Sequence, residues 1–223
     1  MTIYVTVRRR RPPVPVESSL LFPDISEPPD FWELSVSDAA SSYNSTDQHQ
    51  FRRAVIAYYQ PYNIGKKVDC MILGRNTGEV VAAHLMPSRL KRRSNKWIAL
   101  GLPRDAESNP RNGLLLDKNI EEAFDQKEIC FFYNPFENDK SRRLLLQVLN
   151  PALLNKRVVK NDPLKWSELQ NRPLILPDDK IPFLRVLNHH ARCAFRKAAV
   201  QGWINKEQLA DLESYDNFST DSG

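Results

Sequence analysis

In VVAAHLMPSRLKRRSNK, Val80 to Lys96, an apolar run ends in a single histidine, His84, with Pro87 three residues on. The whole chain holds four histidines. A histidine at a strand end has two readings. It can pack in the core, or it can act as a general base, because its ordinary pKa lies near neutrality. The cations behind it, Arg89, Lys91, Arg92, Arg93 and Lys96, are suited to phosphate contact, since Lys and Arg neutralise phosphate charge.

The other candidates carry less. His49 lies in the polar stretch STDQHQ and reads as surface. His189 and His190 are adjacent in a helical pattern, so they point to different faces and one can reach the core. Trp97, Trp166 and Trp203 read as packing residues rather than stacking platforms for bases. Cys70, Cys130 and Cys193 are isolated, with no CxxC pair. That argues against a disulfide framework or a cysteine-based zinc knuckle, and for reduced thiols that are mostly buried.

Elements must position His84. DQHQFRRAVIAYYQPYN places Phe51, Val55 and Tyr58/Tyr59 at helical spacing, with Pro61 to end the helix. In VDCMILGRNTGEVVAAHLMP, two apolar runs flank RNTGE, which predicts a hairpin with Gly78 at a positive φ. An irregular basic connection follows, including Arg104 and Arg111. Leu114 to Leu116 read as a short buried segment. Asp117 can cap a helix whose inner face is Ile120, Ala123 and Phe124, with Glu121 and Glu122 in its early turns. EICFFYNPF and RRLLLQVLNP predict two further strands. PFLRVLNHHARCAFRKAAVQ predicts a helix with Pro182 in its first position. Its stripe is Leu184, Leu187, Ala191, Ala194/Phe195 and Ala198, and Gly202 closes it.

Composition sets the bounds. At 223 residues and 41% hydrophobic, the chain can bury one sizeable core. The mean hydropathy is −0.51, and no window approaches the roughly 18 to 20 apolar residues of a membrane helix. The start, MTIYVTVRRRRPPVP, has its charges after a very short apolar stretch, the reverse of a secretory signal. The expectation is an intracellular protein, nuclear or cytoplasmic, without a cleaved leader. Net charge is +5 with a pI near 9.1, which permits a polyanionic partner without demanding one. The run Arg8 to Arg11 reads as solvated surface or as a nuclear address.

Taken together, CMILGRNTGEVVAAHLMP and NPRNGLLLDKNIEEAFDQKEI resemble an HNH endonuclease of the ββα-metal kind, in the branch with an AAH, NGLLL, FD pattern. The likeness covers about Val68 to Phe132, under a third of the chain. It implies phosphodiester hydrolysis, with DNA as the expected partner. His84 would be the general base. Asn112 would be the middle Asn, bracing the loop and orienting the histidine. Glu121 would stand where the third signature residue, usually His or Asn, binds the metal. A carboxylate there suits Mg²⁺ or Mn²⁺ better than nickel or zinc. Asp125, four residues on, can share that helix face, and Asp117 is another candidate. Ala83 departs from the many relatives that place a ligand just before the base. Arg89, Lys91, Arg92, Arg93, Lys96, Arg104 and Arg111 would grip phosphates.

The expected fold class is α+β: a ββα-metal core with an added small antiparallel sheet and flanking helices. The expected organisation is a flexible Pro/Ser/Arg-rich segment (1–45), an HNH-like domain (46–135), C-terminal strands and a helix on the core (136–214), and a tail (215–223). Two other readings stand beside nuclease activity. One is a degenerate module that binds nucleic acid or a protein without cutting, and the other is an interaction protein whose C-terminal helix docks a partner.

Overall fold

A computed structural model describes residues 45–86, 101–103, 105–133, 143–177 and 179–205. The run Arg8 to Arg11 lies outside them. The first helix, α1 (Ser45–Tyr59), turns Phe51, Val55, Ile56 and Tyr59 inward. Tyr58 is only half-buried. Pro61 starts a single 3-10 turn, Pro61–Asn63, where the α-helix has ended.

The strand that carries the histidine, β1 (Val80–His84), pairs antiparallel with β2 (Gly113–Asp117). The register runs from Val80 opposite Asp117 to His84 opposite Gly113. The hairpin predicted across RNTGE does not form. Gly78 does have a positive φ, 92°, but the run before it folds back on itself. The Cys70 amide donates to the Arg75 carbonyl at 2.9 Å, and the Gly74 amide donates to the Cys70 carbonyl at 2.8 Å. The reason is burial. Cys70, Met71, Ile72 and Leu73 are buried one after another, which a strand with one solvent face does not allow. The run still touches the sheet, where the Met71 amide donates to the Leu115 carbonyl at 2.8 Å.

All five residues of β2 are buried. Leu114, Leu115 and Leu116 are fully so, each contributing about 1.5–3 kcal/mol of hydrophobic stabilisation. Helix α2 (Lys118–Asp125) follows without a loop. Asp117 caps it by accepting from the Asn119 amide at 2.9 Å, and Ile120, Ala123 and Phe124 face inward. The elements β1, β2 and α2 form a ββα unit.

A second antiparallel pair joins β3 (Ile129–Tyr133) to β4 (Leu144–Val148). Helix α3 (Leu184–Val200) packs on β3 through Ala191, Ala194, Phe195 and Ala198 against Cys130 and Leu149. The fold is thus α+β, with two small antiparallel sheets and helices around them. Helix α3 starts later than predicted. Phe183 is its extended N-cap, so Pro182 lies outside the helix. The buried stripe gains Val186 and His190, and Leu184 is only half-buried. No helix among the described residues is long and apolar enough to cross a membrane.

Candidate active site

His84 is the last residue of β1, and a flat aromatic contact fixes its ring. Phe51 of α1 stacks on the imidazole with centroids 3.7 Å apart and planes 11° apart. Burial pushes the His84 pKa down to about 4, so the ring is neutral at pH 7. A neutral imidazole can accept a proton.

Asn112 sits just before β2 and has no exposed surface. Its side chain holds the chain two residues past His84 at both polar groups. The Met86 amide donates to Asn112 Oδ1 at 3.0 Å, and Asn112 Nδ2 donates to the Met86 carbonyl at 3.2 Å. Nδ2 also reaches the Glu107 carbonyl at 3.4 Å, and the Asn112 carbonyl accepts from the Leu85 amide at 2.8 Å. The segment leaving β1 is therefore pinned to the segment entering β2. Asn112→Ala leaves buried groups of Met86 without partners, each costing about 1–3 kcal/mol. The expected loss is about 2–4 kcal/mol in equilibrium urea unfolding. A loss within 0.5 kcal/mol, roughly the range for neutral surface changes, would show that the loop does not depend on this brace.

Glu121 is half-buried on α2. Burial, helped by the nearby Asp125 and Glu122 carboxylates and opposed by Lys118, pushes its pKa up to about 7. Asp125 is exposed, one turn further on. Asp117, weighed as a further ligand, is 2% exposed and committed to capping α2. Among the described residues no three His, Cys, Asp or Glu side chains gather as a metal-ligand group. The donors α2 does offer are hard carboxylate oxygens held close enough to repel each other. Mg²⁺ keeps several waters and needs only one or two protein carboxylates beside substrate phosphates. This donor chemistry fits Mg²⁺ or Mn²⁺.

Of the expected phosphate contacts, Arg89, Lys91, Arg92, Arg93, Lys96 and Arg104 lie outside the described residues. Arg111 lies within them and is half-buried. Its Nε donates to the Ile181 carbonyl at 3.0 Å, and its guanidinium lies over the Phe183 ring, 4.8 Å from the centroid. His49 is exposed, as its polar surroundings predict. His190 is the histidine of its pair that reaches the core. Trp166 is buried and Trp203 packs on the α3 cluster. The three cysteines are free, and only Cys193 is more than slightly exposed.

Sequence reasoning missed Phe51 and Gly113 as parts of this site. Phe51 was legible only as one member of an inner helix face. Gly113 stood in plain view within NGLLL, directly after Asn112. Its meaning depends on which helix lies over it.

Residues 70–131 match the family model described as HNH endonuclease. No curated protein matches the chain. The matched segment begins at the Cys70 turn and ends in β3, so it contains His84, Asn112 and Glu121 within one ββα unit. This family is of a nuclease type, and a domain of this kind implies nucleic-acid binding. Sequence pattern, strand pairing and family match thus agree that the segment from residue 70 to residue 131 is similar to the HNH endonucleases.

Proposed function

We propose that the protein is a metal-dependent endonuclease that hydrolyses phosphodiester bonds in DNA, with His84 as general base. The observation that carries this is the pairing of a neutral histidine at the end of β1 with a fully buried Asn112 pinning the next loop. In this reading His84 takes a proton from the attacking water. Asn112 keeps the base and its loop in register with β2. Glu121, with Asp125, would hold Mg²⁺ or Mn²⁺. When bound, that ion supplies charge neutralisation at the scissile phosphate and the leaving oxygen. Arg89, Lys91, Arg92, Arg93, Lys96, Arg104 and Arg111 bind phosphates, so affinity falls steeply with salt.

The test is supercoiled plasmid incubated with the full chain in Mg²⁺, Mn²⁺ or EDTA. Nicking in either metal and none in EDTA supports the proposal. Intact plasmid in every lane, with retention of DNA equal in EDTA and Mg²⁺, favours a module that binds without cutting. Ala83 and Glu121 motivate that second reading, since they depart from the ligands many relatives carry.

Glu121 gives a sharper check. Its folded pKa of about 7 lies above its ordinary 4.5, so its ionisation works against the fold as pH rises through 7. Glu121→Gln mimics the protonated form. The metal-free variant should melt a few degrees above the parent at pH 8, show little difference at pH 5, and lose cation-dependent cleavage. A variant that melts below the parent at pH 8 would contradict the burial of this charge.

A further inference from the structure

We infer that Phe51 is a positioning residue for His84, and that residue 113 is glycine because α1 must approach closely enough to lay that ring on the imidazole. The inference rests on the proposed role of His84 as base. It goes beyond the family segment, because α1 ends before residue 70.

Two independent observations support it. The first is the stack itself, nearly parallel at 3.7 Å. The second is the space beneath it. Gly113 is the register partner of His84. A Cβ on Gly113 would lie 2.6 Å from Val55 Cγ2 and 2.8 Å from Phe51 Cζ, closer than real contacts permit. The Gly113 backbone is ordinary extended chain, φ −130° and ψ 155°, which any residue adopts. Glycine is therefore needed here for room and not for conformation. The next residue of α1 secures the same strand at its other end, where Arg52 Nη1 donates to the Val80 carbonyl at 2.6 Å. Adjacent side chains of α1 thus hold both ends of β1.

The stack has two chemical effects. It restricts rotation of the imidazole about its terminal torsion, which fixes where the accepting nitrogen points. It also places an aromatic face against a ring that becomes cationic on taking the water's proton, and cations are drawn to such faces. The contact strengthens as the proton arrives, which is what a base in a partly dry site requires.

The experiment uses the full chain with Phe51→Leu and Gly113→Ala. One readout is the NMR position of the His84 ring protons, and the other is kcat and KM for plasmid nicking. In the parent, ring current from Phe51 should shift the His84 signals upfield. Phe51→Leu should abolish that shift and lower kcat roughly 10- to 100-fold with KM little changed. Gly113→Ala, which pushes α1 away from the β2 side, should reproduce Phe51→Leu. Unshifted His84 signals in the folded parent overturn the inference without need of any variant. A folded Phe51→Leu with the parent's kcat overturns it as well. His84→Ala separates the two levels. If it cleaves like the parent, the base assignment falls. If it is inactive while Phe51→Leu is fully active, only the positioning role falls.

Discussion

His84→Ala is expected to lower the single-turnover rate of plasmid cleavage by about 10² to 10⁴, the usual loss on removing a general base. Binding should persist, because the proposed phosphate contacts lie elsewhere. The loss should therefore fall on the chemical step and resist rescue by more enzyme or lower salt. The pH profile adds a second signature. Burial places the His84 pKa at about 4, and a base is lost when it is protonated. At saturating cation, the acid limb should lie near pH 4 to 5, as far down as the fold persists. A limb near the ordinary 6.5 would mean that His84 is hydrated in the working enzyme. Cleavage by His84→Ala at the parent's rate would remove the histidine from the mechanism.

The second large effect concerns stability in acid. His190 is 5% exposed, on the face of α3 turned toward α2. Its ring stacks on Phe124, centroids 3.7 Å apart, and its Nε2 lies 2.8 Å from the Phe124 carbonyl. Burial pushes its pKa down to about 3, with Lys127 and His189 adding to the effect and the Phe124 carbonyl opposing it. The folded pKa lies below the ordinary 6.5, so the unfolded chain takes up the proton first. Stability is then lost as pH falls from 6.5 towards 3, at about 1.4 kcal/mol per pH unit. Over that window the loss reaches about 4 kcal/mol, a large share of a typical domain's 5–15 kcal/mol. His84 adds in the same direction, and Glu121 runs the opposite way between about 4.5 and 7. Comparing the parent with His190→Gln at each pH isolates the His190 contribution. Urea unfolding should show the parent losing ground to the variant steadily from pH 6.5 downward. Parallel curves would mean that His190 is not held neutral in the fold.

The parts of this molecule that were legible in the sequence are those encoded locally. Asp117 announces α2 because a cap needs only the next two residues, and GLLLD announces a buried strand because it carries three leucines in a row. The strands β3 and β4 were legible as apolar runs closed by Pro135 and Pro151. The partner of β1 was not. RNTGE has the composition of a hairpin turn, but the choice lay between a nearby run and one beyond a long connection. Burial of Cys70 to Leu73 on all sides decided it, and burial is a property of the whole fold. The same limit applied at the site. His84, Asn112 and Glu121 could be named from a resemblance, while the Phe51 ring over His84 and the His190 ring on Phe124 depend on helix packing that no spacing reports.

Arg111, next to the bracing Asn112, is tied to residues seventy positions later. The Phe183 amide donates to the Arg111 carbonyl at 2.9 Å, and Arg111 Nε donates to the Ile181 carbonyl. These closures span a long stretch of chain, so they form late and slow the search for the native state. A ribosome delivers the ββα unit well before it delivers α3. On a nascent chain the loop beside Asn112 therefore waits for its last ties until residues 181–183 emerge. The brace beside Asn112 is thus complete only once chain made some seventy residues later has docked against it.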